Sequence, residues 1–169
     1  RQFRRLADSV RADRQALAHL RAERPHAIEA GTASPRLHVL VRTEEQIRAA
    51  IESKFCRGSG GRFLYVDIPD AESQARAIRL AAGAGLNAAA VSPRIIKPGE
   101  ETLLDTLVEA RPAAFLARNL GALAHVRRVA PALTCIADFS LNAANDLSVS
   151  ILSALGSGRV TVSYDLDHK

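Results

Sequence analysis

Six short apolar runs in this chain each end on a polar or charged residue. The ends carry Arg42, Asp67, Ser92 with Arg94, Arg118 with Asn119, Asp138 with Ser140 and Asn142, and Ser163 with Asp165. If the runs are parallel strands, these ends share one rim, the place where chemistry sits in parallel sheets and barrels. Two arginines, Arg94 and Arg118, beside two aspartates, Asp67 and Asp138, make a neutral, hydrogen-bonding cleft. Such a cleft suits a carboxylate, a peptide or a phosphate, because a guanidinium fork grips a planar anion through two bonds. Arg94 and Arg118 are expected to converge with Asp138, which keeps the two cations from repelling each other. Asn119 and Asn142 also suit helix starts, where a short side chain accepts a first-turn N–H. The competing reading is an Arg–Asp brace that only holds strand ends together. No nucleophile has an obvious base, so no catalytic residue is assigned.

Other chemistry is sparse. The five histidines are scattered, and none stands at metal-ligand spacing from another. No phosphate-loop, zinc-protease or serine-elbow motif occurs. Gly83-Ala84-Gly85-Leu86-Asn87-Ala88 has the letters of a dinucleotide fingerprint, but it follows a helix and precedes a strand, the reverse of the required order. Gly58-Ser59-Gly60-Gly61 and Gly156-Ser157-Gly158 read as helix stops and turns. Cys56 follows the second helical segment and should face the structural end of the strands. Cys135 lies within the fifth apolar run and reads as a buried small hydrophobe. Two cysteines alone make neither a disulfide scaffold nor a four-ligand metal site.

The elements that position the rim repeat at a steady pace. Apolar runs begin near Leu37, Arg62, Asn87, Ala113, Thr134 and Arg159, with steps of 25, 25, 26, 21 and 25 residues. The last is read as Val160-Thr161-Val162. Helical stretches lie between them. Thr43 and Gln46 have capping-box spacing, Asp70 can cap the next helix, and Pro98 suits the start of the third. Leu120, Leu123 and Val126 mark a fourth helix, and Ala144 to Leu155 a fifth. Strand and helix alternating at this pace predict parallel strands with right-handed crossovers. The alternatives are an open doubly wound sheet and part of a (β/α) barrel. The missing Gly-rich phosphate turn favours the barrel, whose full form needs eight units and about 250 residues.

The chain has 169 residues, 47% hydrophobic and 24% charged, which excludes a disordered tail or a collagen-like fibre. Aromatics are 4% with no Trp, so a base-stacking surface is not expected. No apolar run is long enough to cross a membrane, and no secretory leader opens the chain, so a cytoplasmic, non-membrane protein is expected. The chain holds no Met and begins with Arg, as a piece of a longer protein would. The net charge of +5 is concentrated near the start, where seven Arg face Asp8, Asp13 and Glu23. Phe3, Leu6, Val10, Leu17 and Leu20 recur there at helical spacing. Residues 1–30 therefore read as a basic amphipathic helix, either a solvated face or an RNA- or phosphate-binding arm, and residues 31–169 as a partial barrel. An open barrel edge predicts capping or pairing, with a homo-oligomer as one route.

Four stretches at these strand ends are similar to one family. Ser92-Pro93-Arg94-Ile95-Ile96-Lys97-Pro98-Gly99-Glu100-Glu101 resembles the PRIxKPGE segment of the collagenase-like peptidase family. Arg118-Asn119-Leu120-Gly121 resembles its R-N-L-G turn, and Asp138 to Asn145 its D-x-S-L-N-x-x-N turn. Arg159 to Leu166 resembles its R-V-T-x-S-x-[DE]-L strand. The resemblance spans about residues 37–166 in the family's order. It implies a barrel-like domain in a cytoplasmic bacterial protein, acting as a peptidase on peptide or protein substrates, with collagen among them. Related members serve RNA base hydroxylation or quinone hydroxylation and hold an iron–sulfur cluster on cysteines. A non-enzymatic binding or scaffold domain is the third alternative. Neither Cys56 nor Cys135 fits the family's Cys-rich segment, so a cluster is expected only in a longer parent. The rim residues Asp67, Arg94, Arg118, Asn119, Asp138 and Asn142 are the expected substrate contacts.

Overall fold

The computed structural model describes residues 36–53 and 61–165, with His19 and Ala22. The chain divides into two compact units, Arg1–Ala33 and Ser34–Lys169. The amphipathic stripe Phe3, Leu6, Val10, Leu17 and Leu20, and also Cys56, lie outside the described residues.

The second unit holds a six-stranded sheet made of β1 (Val39–Val41), β2 (Leu64–Val66), β3 (Ala88–Val91), β4 (Ala114–Ala117), β5 (Cys135–Ala137) and β6 (Ser157–Val160). Every strand pairs in parallel with its neighbour in sequence, in the order β1-β2-β3-β4-β5-β6. Between them run α1 (Glu44–Ser53), α2 (Ala71–Gly83), α3 (Thr102–Glu109), α4 (Leu120–Val129) and α5 (Asp146–Ala154). The constant repeat length dictates this order, because each crossover returns the chain beside the strand it has just left.

Alternation along the strands separates two cores. Leu64, Val66, Ala88, Ala90, Phe115, Ala117, Cys135 and Ala137 form one cluster with Ile47, Ile78, Leu104, Leu107, Leu123, Val126 and Leu152, so all five helices contribute to it. The other cluster contains strand residues only: Ala89, Val91, Ala114, Leu116 and Ile136, flanked by Phe63 and Tyr65. Helices thus cover one face, and the opposite face is an inner wall. A doubly wound sheet would have helices on both faces. The one-sided layering is that of a partial (β/α) barrel. Each large buried side chain contributes about 1.5–3 kcal/mol.

Size matching fills the inner wall. Tyr65 pairs in register with Ala89, and Ala89 with Ala114, so a large residue faces small ones. Arg159 of β6 reaches back to β2, its guanidinium 5.4 Å from the Phe63 ring centre. His38 stacks on Phe63 at 5.6 Å, and its Nδ1 accepts the Phe63 N–H at 2.9 Å. Beside β1, the first strand of the sheet order, Val39, Leu40, Val41, Ala49 and Ala50 line a groove of about 390 Å³.

Local signals set the helix ends. Asp70 caps α2 by accepting the Ser73 N–H at 2.7 Å. The helix stops through Leu86 N–H to Ala81 O and Gly85 N–H to Ala82 O, with Gly85 at φ 81°. Thr43 Oγ1 accepts the Gln46 N–H as expected, but Gln46 Oε1 takes the Arg42 N–H, one residue before the usual box partner.

Three expected boundaries move. Pro98 does not open α3, which starts at Thr102 after a turn closed by Glu100 N–H to Lys97 O. Helix α5 is capped by Asn145, in a reciprocal box with Ser148, while Asn142 takes a left-handed conformation at φ 53° after a 3-10 turn. Strand β6 begins at Ser157 rather than near Val160. Gly156 ends α5 at φ 96°, and Gly158 is the extra residue of a bulge that pairs Ser157 with Cys135 and Arg159 with Ile136. Val162 instead makes an isolated bridge with Ala143.

Candidate functional site

Alternation carries the inner wall up to the rim. Leu116 and Ile136 belong to the inner cluster, and Tyr65 packs against it. Two residues further along each strand stand Arg118, Asp138 and Asp67, and these three meet. Arg118 donates from Nη1 to Asp67 Oδ1 at 2.8 Å and from Nη2 to Asp67 Oδ2 at 2.9 Å. Its Nε lies 3.6 Å from Asp138 Oδ2 and, though buried, makes no hydrogen bond. Arg42 adds a 3.3 Å contact from Nε to Asp67 Oδ2. Two carboxylates and two guanidiniums make the assembly formally neutral.

Hydroxyls lock the backbone beneath these charges. Ser92 Oγ accepts the Arg118 N–H at 2.9 Å. Ser140 Oγ lies 2.9 Å from both the Arg118 carbonyl and Asp138 Oδ2. Gln74, buried on α2, donates from Nε2 to the carbonyls of Val66 and Val91 at 2.7 and 2.9 Å, tying the ends of β2 and β3. Burial raises the Asp67 carboxyl, but the hydrogen bonds and charge of Arg118, then those of Arg42, outweigh it and hold the group below the usual carboxylate range. Burial pushes the Tyr65 phenol up; Arg159 opposes this and Asp138 adds to it.

The expected site residues separate into three groups. Asp67, Arg118 and Asp138 converge. Asn119 caps α4, accepting the Ala122 N–H at 2.7 Å, and its Nδ2 holds the carbonyls of Pro93 and Arg94. Arg94 does not join Arg118 around Asp138, because that backbone clamp holds its loop where the guanidinium sits 5.2 Å over the Phe139 ring. Asn142 is exposed and lies outside the network. Ser163 is buried; its hydroxyl meets Asp165 Oδ2 at 3.4 Å and its N–H goes to the Ala143 carbonyl at 3.1 Å.

Two features escaped the sequence reading. Gln74 lies on the apolar stripe of α2 with Ile78 and Ala81, and a lone amide on such a stripe is its only signal. An aromatic pair, half-buried Phe139 and exposed Tyr164 with ring centres 5.5 Å apart, extends the platform under Arg94.

This geometry constrains the chemistry. The Arg118 fork is spent on Asp67, so in this state it grips no external anion. The outward cations are Arg42 and Arg94. Cys135 is buried in β5, and burial pushes its thiol up, away from nucleophilic character. His125 Nε2 meets Asp105 Oδ1 at 2.7 Å, but that pair joins α3 to α4 on the helical layer. Among the described residues no three of His, Cys, Asp or Glu come together to hold a metal ion, so they do not fit the iron–sulfur cluster that the family resemblance raises. No helix among the described residues is long and apolar enough to cross a membrane. Neither a protein-family model nor a curated protein matches the chain.

Proposed function

We propose that this domain is the substrate-facing wall of a barrel of the collagenase-like peptidase type, and that its rim takes a peptide. One observation carries the reading. Three of the stretches that resemble that family follow β3, β4 and β5, and the fourth begins on the last two residues of β6, so they gather at the same ends of adjacent units. A fold requirement alone would scatter such signatures through core and turns. The rim is formally neutral and rich in hydrogen-bonding groups, which suits a peptide backbone. Arg94, Phe139 and Tyr164 offer a cationic and aromatic surface for its side chains. In this reading the domain binds and orients the peptide in a cytoplasmic bacterial protein. The bond-breaking groups lie outside the described network.

Fluorescence anisotropy with labelled gelatin-derived peptides tests the reading, with single-stranded RNA as competitor. The expected result is saturable peptide binding, weakened about tenfold by joint replacement of Arg94 and Tyr164 with Ala. No peptide binding, or binding unchanged in that variant, overturns it. RNA binding that displaces the peptide favours the RNA-modification alternative instead.

A further inference from the structure

The network at the rim borders a cleft of about 310 Å³ between the strand ends and helices α2 and α3. Its walls are largely apolar: Ile68, Val91, Leu103 and Leu107. Leu107 is 1% exposed and belongs to the main core, so this side of the cleft is rigid, while Leu103 at 37% exposure stands near the mouth. Asp67 and Arg118 close one side, the two Nη groups of Arg118 paired with both carboxylate oxygens of Asp67. They offer a ligand little net charge.

Gln74 supplies the polar group that decides what fits. It lines the cleft and is 3% exposed. Both of its Nε2 hydrogens are committed, to Val66 O and Val91 O. Those two bonds fix the amide orientation, so the oxygen is the atom left over. Among the described residues, Oε1 accepts no hydrogen bond, and it is not sealed from solvent as the Arg118 Nε is. Such an acceptor takes its donor from whatever fills the cleft, so a group that displaces water there must bring a donor of its own.

We infer that this cleft is a binding subsite for a compact, neutral aliphatic group that carries one N–H or O–H donor directed at Gln74 Oε1. An anion would meet the amide oxygen and would find the Arg118 fork already held by Asp67. A cation would find Asp67 already neutralised by Arg118 and Arg42. A purely apolar group would leave the oxygen unpaired. The inference does not depend on the peptide reading, since the cleft's chemistry is the same for any molecule that presents such a group.

Isobutyramide is a suitable probe, with methyl isobutyrate, which lacks the donor, and the isobutyrate anion as controls. Titration of the intact chain is followed by NMR, through the Gln74 side-chain amide and the Leu103 and Leu107 methyls. The expected result is saturable shifts at all three groups with isobutyramide, and binding about three- to tenfold weaker with the ester and the anion. Leu103→Trp blocks the mouth without touching the core and should abolish the shifts while the remaining spectrum stays folded. Equal binding of all three probes, shifts that survive Leu103→Trp, or no shift in any of the three groups would each overturn the assignment.

Discussion

Arg118 and Asp67 stand 51 positions apart and meet through two parallel hydrogen bonds of 2.8 and 2.9 Å. They belong to strands that are not neighbours. Strand β3 lies between them, and its rim residue Ser92 is small and fully buried, with its hydroxyl under the Arg118 backbone. The pair therefore spans three adjacent units with one ionic bridge.

Replacing Arg118 with Ala should cost about 3 kcal/mol of stability, because Asp67 and Asp138 lose a shared, nearly buried cation. Urea unfolding measures this. Arg118→Lys should recover only part, since a point charge cannot reproduce the fork. Arg94→Ala should cost about 1 kcal/mol or less, as its guanidinium only covers an aromatic face. A loss at position 118 no larger than at position 94 would remove the bracing role.

Acid should weaken the same bridge. The Asp67 carboxyl lies below its ordinary value when folded, so its contribution is complete above the unfolded value near 4 and fades as pH falls toward the folded one. Urea midpoints at pH 7, 4 and 3 should decline, and Asp67→Asn should flatten the fall between the last two. An identical slope in the variant would place the acid sensitivity elsewhere.

His38 should titrate in a different window. Burial lowers its ring, and the charges of Arg159 and Arg36 lower it further. Its Nδ1 must also stay unprotonated to accept the Phe63 N–H. The folded state thus favours neutral imidazole, and the stability this gives is present above about pH 6.5 and lost on acidification through the folded value. NMR of the ring protons should show a midpoint below 6.5. A midpoint at or above it would mean that the ring is free of both arginines.

Two glycines should respond with opposite signs. Gly156 has φ 96°, and a Cβ there would stand 2.5 Å from Arg127 Nε, so Gly156→Ala should cost about 1–2 kcal/mol. Gly83 ends α2 with nothing within 4 Å of its added Cβ. Gly83→Ala should stabilise by about 0.4–1 kcal/mol through the unfolded chain. Thermal melts of the two variants should shift in opposite directions.

The sheet order was legible because each unit carries its own apolar run at a constant pitch. The end of β6 was not, since Ser157 and Gly158 have turn chemistry and become strand only through a bulge opposite Cys135. Asn142 and Asn145 have identical capping chemistry three positions apart. The 3-10 turn over Phe139–Leu141 decides between them, by placing Asn142 in the left-handed region. At the rim, Asp67, Arg118 and Asp138 could be named because each stands where an apolar run ends. Their partnership could not, because it depends on the stagger between strands. Arg94 was misplaced for the same kind of reason, as its loop is set by the distant amide of Asn119.

Arg159 over Phe63 reaches farther across the sheet than the Arg118–Asp67 bridge does. Strands pair only with the unit before and the unit after, and α1 packs on α2, α2 on α3, and α3 on α4. Such nearest-neighbour order lets the units accrete one at a time as the polypeptide leaves the ribosome, each docking on a surface already made. Stalled nascent chains ending before Arg159 should already protect β2 to β4 amides from exchange. The sixth unit reaches back to the second across three intervening strands, where the Arg118–Asp67 bridge crosses one, so that contact forms only after the sixth unit has docked, and it works as a late seal on a fold otherwise assembled by accretion.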